Sequence, residues 1–147
     1  MAILFTPLML LIVSLSMLTG SARIEQALQA TANRAARTAA LCCHHTGDAE
    51  AAVHASLVAA ERTAVTNRIV CQNNLVADST VFFVAVAGND VPIDGTSAVP
   101  SGGTVYVVLT CRVPAEVLGG VGFPGLNVER RAVGVAVVDP YRYRSGG

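Results

Sequence analysis

The first charged side chain in the sequence is Arg23, and the stretch before it, Ala2 through Ala22, is almost wholly apolar. At ~1.5 Å of rise per residue, about 20 helical residues cross the ~30 Å hydrocarbon core of a bilayer, so this run is long enough to span. Leu4, Phe5, Pro7, Leu8, Leu10, Leu11, Ile12, Val13, Leu15 and Leu18 are then the anchor residues. A secretory signal peptide is the competing reading, with Leu8 to Leu18 as its apolar region and Gly20-Ser21-Ala22 as its cleavage site. No Lys or Arg precedes the apolar run, so that match is partial. Continuity favours retention. At 100° per residue Ile24, Leu28, Ala35, Ala39 and Cys42 fall on one helix face, while Arg23, Gln26, Arg34 and Arg37 fall on the other, so a membrane helix emerges and becomes amphipathic.

Composition supports an envelope protein over a cytosolic enzyme. With 147 residues, 52% hydrophobic and 14% charged, the natural division is one anchor and one domain of about 100 residues. A formal net charge of zero gives no electrostatic argument for nucleic acid. Four cysteines in a small membrane-targeted chain fit disulfides outside the cytoplasm.

The order along the chain is helix first, sheet later. The first helix is expected from about Ile3 to about His45, bent near Pro7, with Thr46-Gly47-Asp48 as a stop followed by an N-cap. A second helix takes Ala49 to about Asn67, its shallow stripe of Ala49, Val53, Leu57, Ala60 and Ala64 calling for close packing. From Ile69 the character turns to β, with strands expected over Thr80 to Ala87, Thr104 to Arg112 and Val128 to Val138. In the middle strand Val105, Val107, Leu109 and Cys111 alternate with Thr104, Tyr106, Thr110 and Arg112, the pattern of a half-buried strand. The connectors Gly88-Asn89-Asp90, Asp94 to Gly103 and Val113 to Gly125 are turn-rich and too short for helical crossovers, so the sheet is antiparallel. The expected fold is α+β: a long N-terminal helix whose first half lies in the membrane, and a second helix, packed on a small three- to four-stranded antiparallel sheet. The divisions are 1–22 for the transmembrane half, 23–67 for the stem and second helix, and 68–147 for the β head and tail.

Ala2-Ile3-Leu4-Phe5-Thr6-Pro7-Leu8-Met9-Leu10-Leu11 and the run from Gln29 to Ala40, with the closing Val133 to Arg142, resemble actinobacterial TadE/TadG-like pilus assembly proteins. These are pseudopilin-like minor components of the Tad branch of the type IV pilus system. Members usually carry a short basic leader and a glutamate a few residues into the mature chain. Aligning on Pro7 puts Met1 where that glutamate stands, so the expectation is either a start codon further upstream or a protein not processed as a prepilin. The resemblance implies a pilin-like helical stem in the membrane, an extracytoplasmic β head on a single-pass anchor, possible incorporation in a pilus, and a role in assembly or capping without chemistry. The partners are then other pilin-like subunits or Tad assembly proteins, reached through the N-terminal helix, and membrane lipid. Ala27, Ala32, Ala35, Ala36, Ala39 and Ala40 are the helix-packing residues, since small side chains permit close backbone approach. Against an extracytoplasmic head, Arg23, Arg34 and Arg37 outnumber Glu25 on the exit side, which the positive-inside rule would place in the cytoplasm.

Candidates for chemistry are few. Cys42-Cys43-His44-His45 holds zinc-binding residue types, but four consecutive helical residues radiate at 100° steps and cannot converge on one ion. Cys42 and His45, joined by His54 beyond the helix break, make three possible metal ligands without a recognised spacing, and the preferred reading is a helix end where His44 and His45 offset the dipole. No cofactor is expected. Four cysteines allow three complete pairings; Cys71 with Cys111 is favoured, with Cys42 or Cys43 as rival partners and two buried thiols as the alternative. No nucleophile elbow occurs, Gly119-Gly120-Val121-Gly122 lacks a following helix start, and Asp90, Asp94 and Asp139 lack a calcium-loop spacing. The expected function is therefore a non-enzymatic pseudopilin-like component or assembly factor of a Tad-type apparatus. The alternatives are a secreted small binding domain released near Ala22 and, third, a membrane-tethered metal or thiol-redox enzyme built on Cys42, Cys43 and the histidines.

Overall fold

The computed structural model of the protein describes residues 2–42, 48–94, 96–114 and 127–141. Its elements are α1 (Ala2–Leu41), α2 (Asp48–Thr66), β1 (Thr80–Val84), β2 (Asp90–Val91), β3 (Thr104–Pro114) and β4 (Asn127–Val137). The fold is α+β: two helices and one four-stranded antiparallel sheet in the order β2-β1-β3-β4.

Two element ends, those of α1 and β1, fall short of the sequence expectation by more than two residues, and one strand is added. Helix α1 runs unbroken through Pro7 and ends at Leu41. The Thr46-Gly47 stop and His44 and His45 lie outside the described residues. Strand β1 stops at Val84 because the chain turns there: Ala85 N donates to Asn89 O at 2.9 Å and Gly88 takes φ +84, a left-handed conformation that glycine adopts without a Cβ penalty. The return makes a fourth, two-residue strand, Phe83 opposite Val91 and Val84 opposite Asp90, where a turn alone was expected.

Period-two alternation sets the two faces of the sheet. On β3, Val105, Val107, Leu109, Cys111 and Val113 are all fully buried. Opposite them on β4 stand Ala136, Gly134, Ala132, Arg130 and Val128, in that order. This inner face lies against α1, and α2 covers α1 from the far side, so the order of layers is α2, α1, sheet. Among the described residues no helix lies on the outer face. There Phe82 stacks on Tyr106 across the strand pair, ring centroids 4.9 Å apart, and Val135 continues the row.

A disulfide joins Cys71 to Cys111, 40 residues apart, in agreement with the favoured pairing. A closed loop of that length, by restricting the unfolded chain, raises its free energy by about 4 kcal/mol at 25 °C on the chain-entropy account. The same segment finishes the edge of β3 beyond the end of β1. Gln72 N donates to Arg112 O, Arg112 N donates to Asn73 Oδ1, and Asn73 Nδ2 donates to Thr110 O, all between 2.7 and 2.9 Å. Backbone groups that β1 is too short to reach are thereby satisfied.

Candidate membrane anchor and its junction with the head

The first half of α1 is built for an apolar solvent. Leu4, Phe5, Leu8, Met9, Leu10, Leu11, Ile12, Leu15 and Leu18 are 51–78% exposed. An 18-residue window of the helix has mean hydropathy 1.8 and none of it is buried, so the helix is long and apolar enough to cross a membrane. Leaving nine such side chains in water forgoes roughly 1 kcal/mol or more apiece, a total comparable to the whole stability of a small domain. Hydrocarbon removes that cost. The polar side chains of the segment are also suited to lipid, because Ser14, Ser16, Thr19 and Ser21 each donate to a backbone carbonyl three or four residues back, at 2.6–3.0 Å. No hydroxyl among these four needs water.

The second half is built for protein. Leu28, Thr31, Ala32, Ala35, Ala36, Ala39 and Ala40 are buried, and from α2 Ala49, Ala52, Ser56, Ala60, Thr63 and Ala64 meet them. Alanine on both sides lets the axes come close. The buried hydroxyls stay satisfied, Thr31 donating to Ala27 O, Ser56 to Val53 O and Thr63 to Ala59 O, and Asn67 Nδ2 donates to Thr31 Oγ1 at 3.4 Å. The faces read from periodicity hold, since Leu28, Ala35 and Ala39 are buried, Ile24 and Cys42 half-buried, and Arg23, Gln26, Arg34 and Arg37 exposed.

The helix meets the sheet at Gly134. A Cβ placed there would lie 2.0 Å from Ala32 O and 2.2 Å from Ala32 C, so β4 and α1 touch backbone to backbone. One residue earlier, Gln29 Nε2 donates to Val133 O at 2.6 Å. Glycine interrupting a strand of β-branched residues signals such an approach, and this junction is the feature the sequence reading missed.

The helix-packing alanines are in consequence reassigned. Ala32, Ala35, Ala36, Ala39 and Ala40 are at most 5% exposed, and Ala27 is half-buried. The five buried alanines seat α1 between α2 and β4 of the same chain, which leaves those five no surface for another subunit. What α1 offers outward is its apolar first half and a polar strip bearing Gln26, Ala30, Asn33, Arg34 and Arg37.

Of the three metal candidates, two lie among the described residues. Cys42 is disulfide-bonded, so its sulfur is not a free thiolate; His45 lies outside the described residues; His54 is exposed on α2. His54 lines a cleft of about 420 Å3 between the helices, where its neighbours are Arg34 and Arg62, cations that oppose a bound cation. Among the described residues no group of three or more His, Cys, Asp or Glu side chains is placed to hold a metal. Arg112 and Glu129, at 3.8 Å and both more than half exposed, form an ion pair on the outer face that contributes little to stability.

No protein-family profile matches the chain, and no curated protein or solved structure is significantly similar to it.

Proposed function

We propose that the protein is a non-enzymatic, pilin-like minor component or assembly factor of a Tad-type pilus or secretion apparatus, held by a single pass of α1 with its head outside the cytoplasm. One observation carries the reading: a single 40-residue helix presents bare leucines over its first half and forms the central layer of an α+β head over its second. A subunit that waits in a membrane and is then handed to an assembly needs such a division, since the anchor remains available to lipid or to other apolar helices while the head is already folded. The Cys71–Cys111 bond supports an oxidising compartment, because cytosolic thiols are kept reduced. With the stem alanines consumed inside the head, contacts with other subunits fall to the exposed first half of α1. A photo-crosslinking residue at Leu11 or Leu15, in native membranes, is expected to trap other pilin-like subunits or Tad assembly proteins. Adducts with lipid alone would sink the assembly role.

A specific observation also favours the secreted reading. Among the described residues every fully buried side chain of α1 lies at Leu28 or later, so a chain cut after Ala22 keeps the described core. Intact mass from membranes and culture fluid, without reducing agent, separates the two: a soluble chain beginning at Arg23 would replace the anchored subunit with a secreted small binding domain.

A further inference from the structure

Charge is sorted along the axis of the head. Helix α1 and strand β4 run in the same direction, since Gln29 meets Val133, Ala32 meets Gly134, and Arg37 to Leu41 line one cleft with Val135 to Val137. Four strand residues separate Gly134 from Arg130, about 13 Å, and nine helical residues separate Ala32 from Arg23, also about 13 Å. Arg130 and Arg131 therefore stand level with Arg23, where α1 leaves its apolar run. The partner strand and the segment after α2 bring Arg112 and Arg68 to the same end. Among the described residues Glu25, Glu61, Asp78 and Glu129 are the acids there, Glu61 through the cleft it lines with Cys71 and Asn73, and two of them are engaged, Glu129 with Arg112 and Asp78 with Asn73. Among the described residues Arg130 Nε is buried without a hydrogen-bond partner, while Arg23, Arg68 and Arg131 are exposed. Arg34 and Arg62 lie along the flank. At the opposite end, among the described residues, the acids Glu50, Asp90, Asp94 and Asp139 outnumber Arg37, which lines a cleft with Leu41 and Val137.

We propose that the membrane-proximal end of the head, centred on Arg23, Arg130 and Arg131, docks on the anionic phospholipid headgroups of the bilayer that holds α1. The inference rests on the anchored reading above. Headgroups occupy roughly 5–7 Å on each side of the hydrocarbon core, so side chains level with Arg23 reach them without any change in the helix. Phosphate is the anion an arginine fork fits best, and each basic residue at an anionic surface strengthens binding about fivefold. The acidic far end is repelled by the same surface, and the two effects together hold the head in one orientation on its stem.

The full chain contains no tryptophan, which allows one reporter to be placed at will. Thr110→Trp puts it on the outer face beside Arg131; Thr104→Trp puts it six residues, about 20 Å, further up β3. Full-length protein is placed in vesicles of phosphatidylcholine alone, or with about a third phosphatidylglycerol, that carry a dansyl-headgroup lipid as energy-transfer acceptor. Transfer from the Thr110→Trp reporter is expected to rise with phosphatidylglycerol, to fall back in 1 M NaCl, and to lose about fivefold in the docked-to-undocked ratio for each of Arg131→Gln and Arg23→Gln, while Arg131→Lys keeps it. Transfer from the Thr104→Trp reporter should not change. A signal from Thr110→Trp that is indifferent to phosphatidylglycerol, or to Arg131→Gln, in chain that floats with the vesicles would overturn the docking and leave the anchor standing. Chain that fails to float would overturn both.

Discussion

Up to Ala22, α1 carries its largest apolar side chains on the surface; from Leu28 onward it carries mostly alanine on its inner face and buries it. Hydropathy alone would rank the two halves the wrong way round as core material. The difference is one of solvent and distance. Against lipid, bulk is favourable because each methylene is simply removed from water. Against α2 and a strand backbone, bulk is excluded by the close approach of the main chains, so the head gains its packing from many small contacts and from Gly134, where no side chain fits at all.

The largest expected effect comes from breaking the first half. Leu8→Arg with Leu11→Arg exchanges two exposed leucines of the candidate anchor for charges, a cost in a bilayer of about 3 kcal/mol each on the insertion scale, so about 6 kcal/mol together. Flotation with membranes should be lost, while the head, which touches neither residue, keeps its Cys71–Cys111 bond and its thermal transition. Retained flotation would mean that lipid contact at these positions is not what holds the chain.

Breaking the second half should give the opposite pattern. Gly134→Ala forces a methyl group onto the carbonyl of Ala32, a clash with backbone that no rotamer change relieves, and about 3 kcal/mol or more of stability should go. Ala35→Leu, overpacking the seam with α2, belongs in the range of about 1–3 kcal/mol. Both variants should float normally with their heads less stable to denaturant. If Ala35→Leu instead left the head unchanged and altered only association with other subunits, the alanine seam would be facing outward and the layer order α2, α1, sheet would be wrong.

The first half was legible from the residues because absence of charge is a one-dimensional signal, needing no partner to interpret. The inner face of β3 was legible for a related reason, since alternation from Val105 to Cys111 states which side is buried, and that placed Cys111 inside where Cys71 could reach it. The destination of the alanines was not. Periodicity at Ala32, Ala35, Ala36 and Ala39 specifies a face on which another backbone comes close, but whether that backbone belongs to α2, to β4 or to a second molecule depends on the path of a chain some 30 to 100 residues further on. Strand β2 escaped for lack of length: Asp90 and Val91, followed by Pro92, carry no pattern of their own and pair only because the turn at Gly88 returns them beside Val84. The gathering of arginines at one end of the head was hidden likewise, because Arg23 and Arg131 are more than a hundred residues apart in sequence.

The smallest effect tests how the far end of the head is finished. Asp94 Oδ1 accepts from the Thr96 hydroxyl at 2.8 Å, from Ser97 N at 2.7 Å and from Thr96 N at 3.0 Å, and these bonds, the Thr96 hydroxyl foremost, pull its carboxyl from 3.8 to about 2. The turn they order presents Ser97 O to Ala49 N, at 3.1 Å, one of the unpaired amides in the first turn of α2. A lowered folded-state value means that the carboxylate's contribution is complete above about pH 4 and is lost as pH falls through about 2. Asp94 is fully exposed, so the change should be local: carboxyl NMR should show Asp94 titrating near 2, Thr96→Val should move it up toward 3.8, and the protection of the Ala49 amide, relative to its intrinsic exchange rate, should fall only below about pH 3. Melting temperature should hardly respond, in contrast to Gly134→Ala, because one exposed turn supports a helix end while Gly134 supports the contact between the helix and the sheet. An Asp94 that titrates at 3.8 with and without Thr96 would mean that this turn does not hold the start of α2, and that the alanine seam alone positions it.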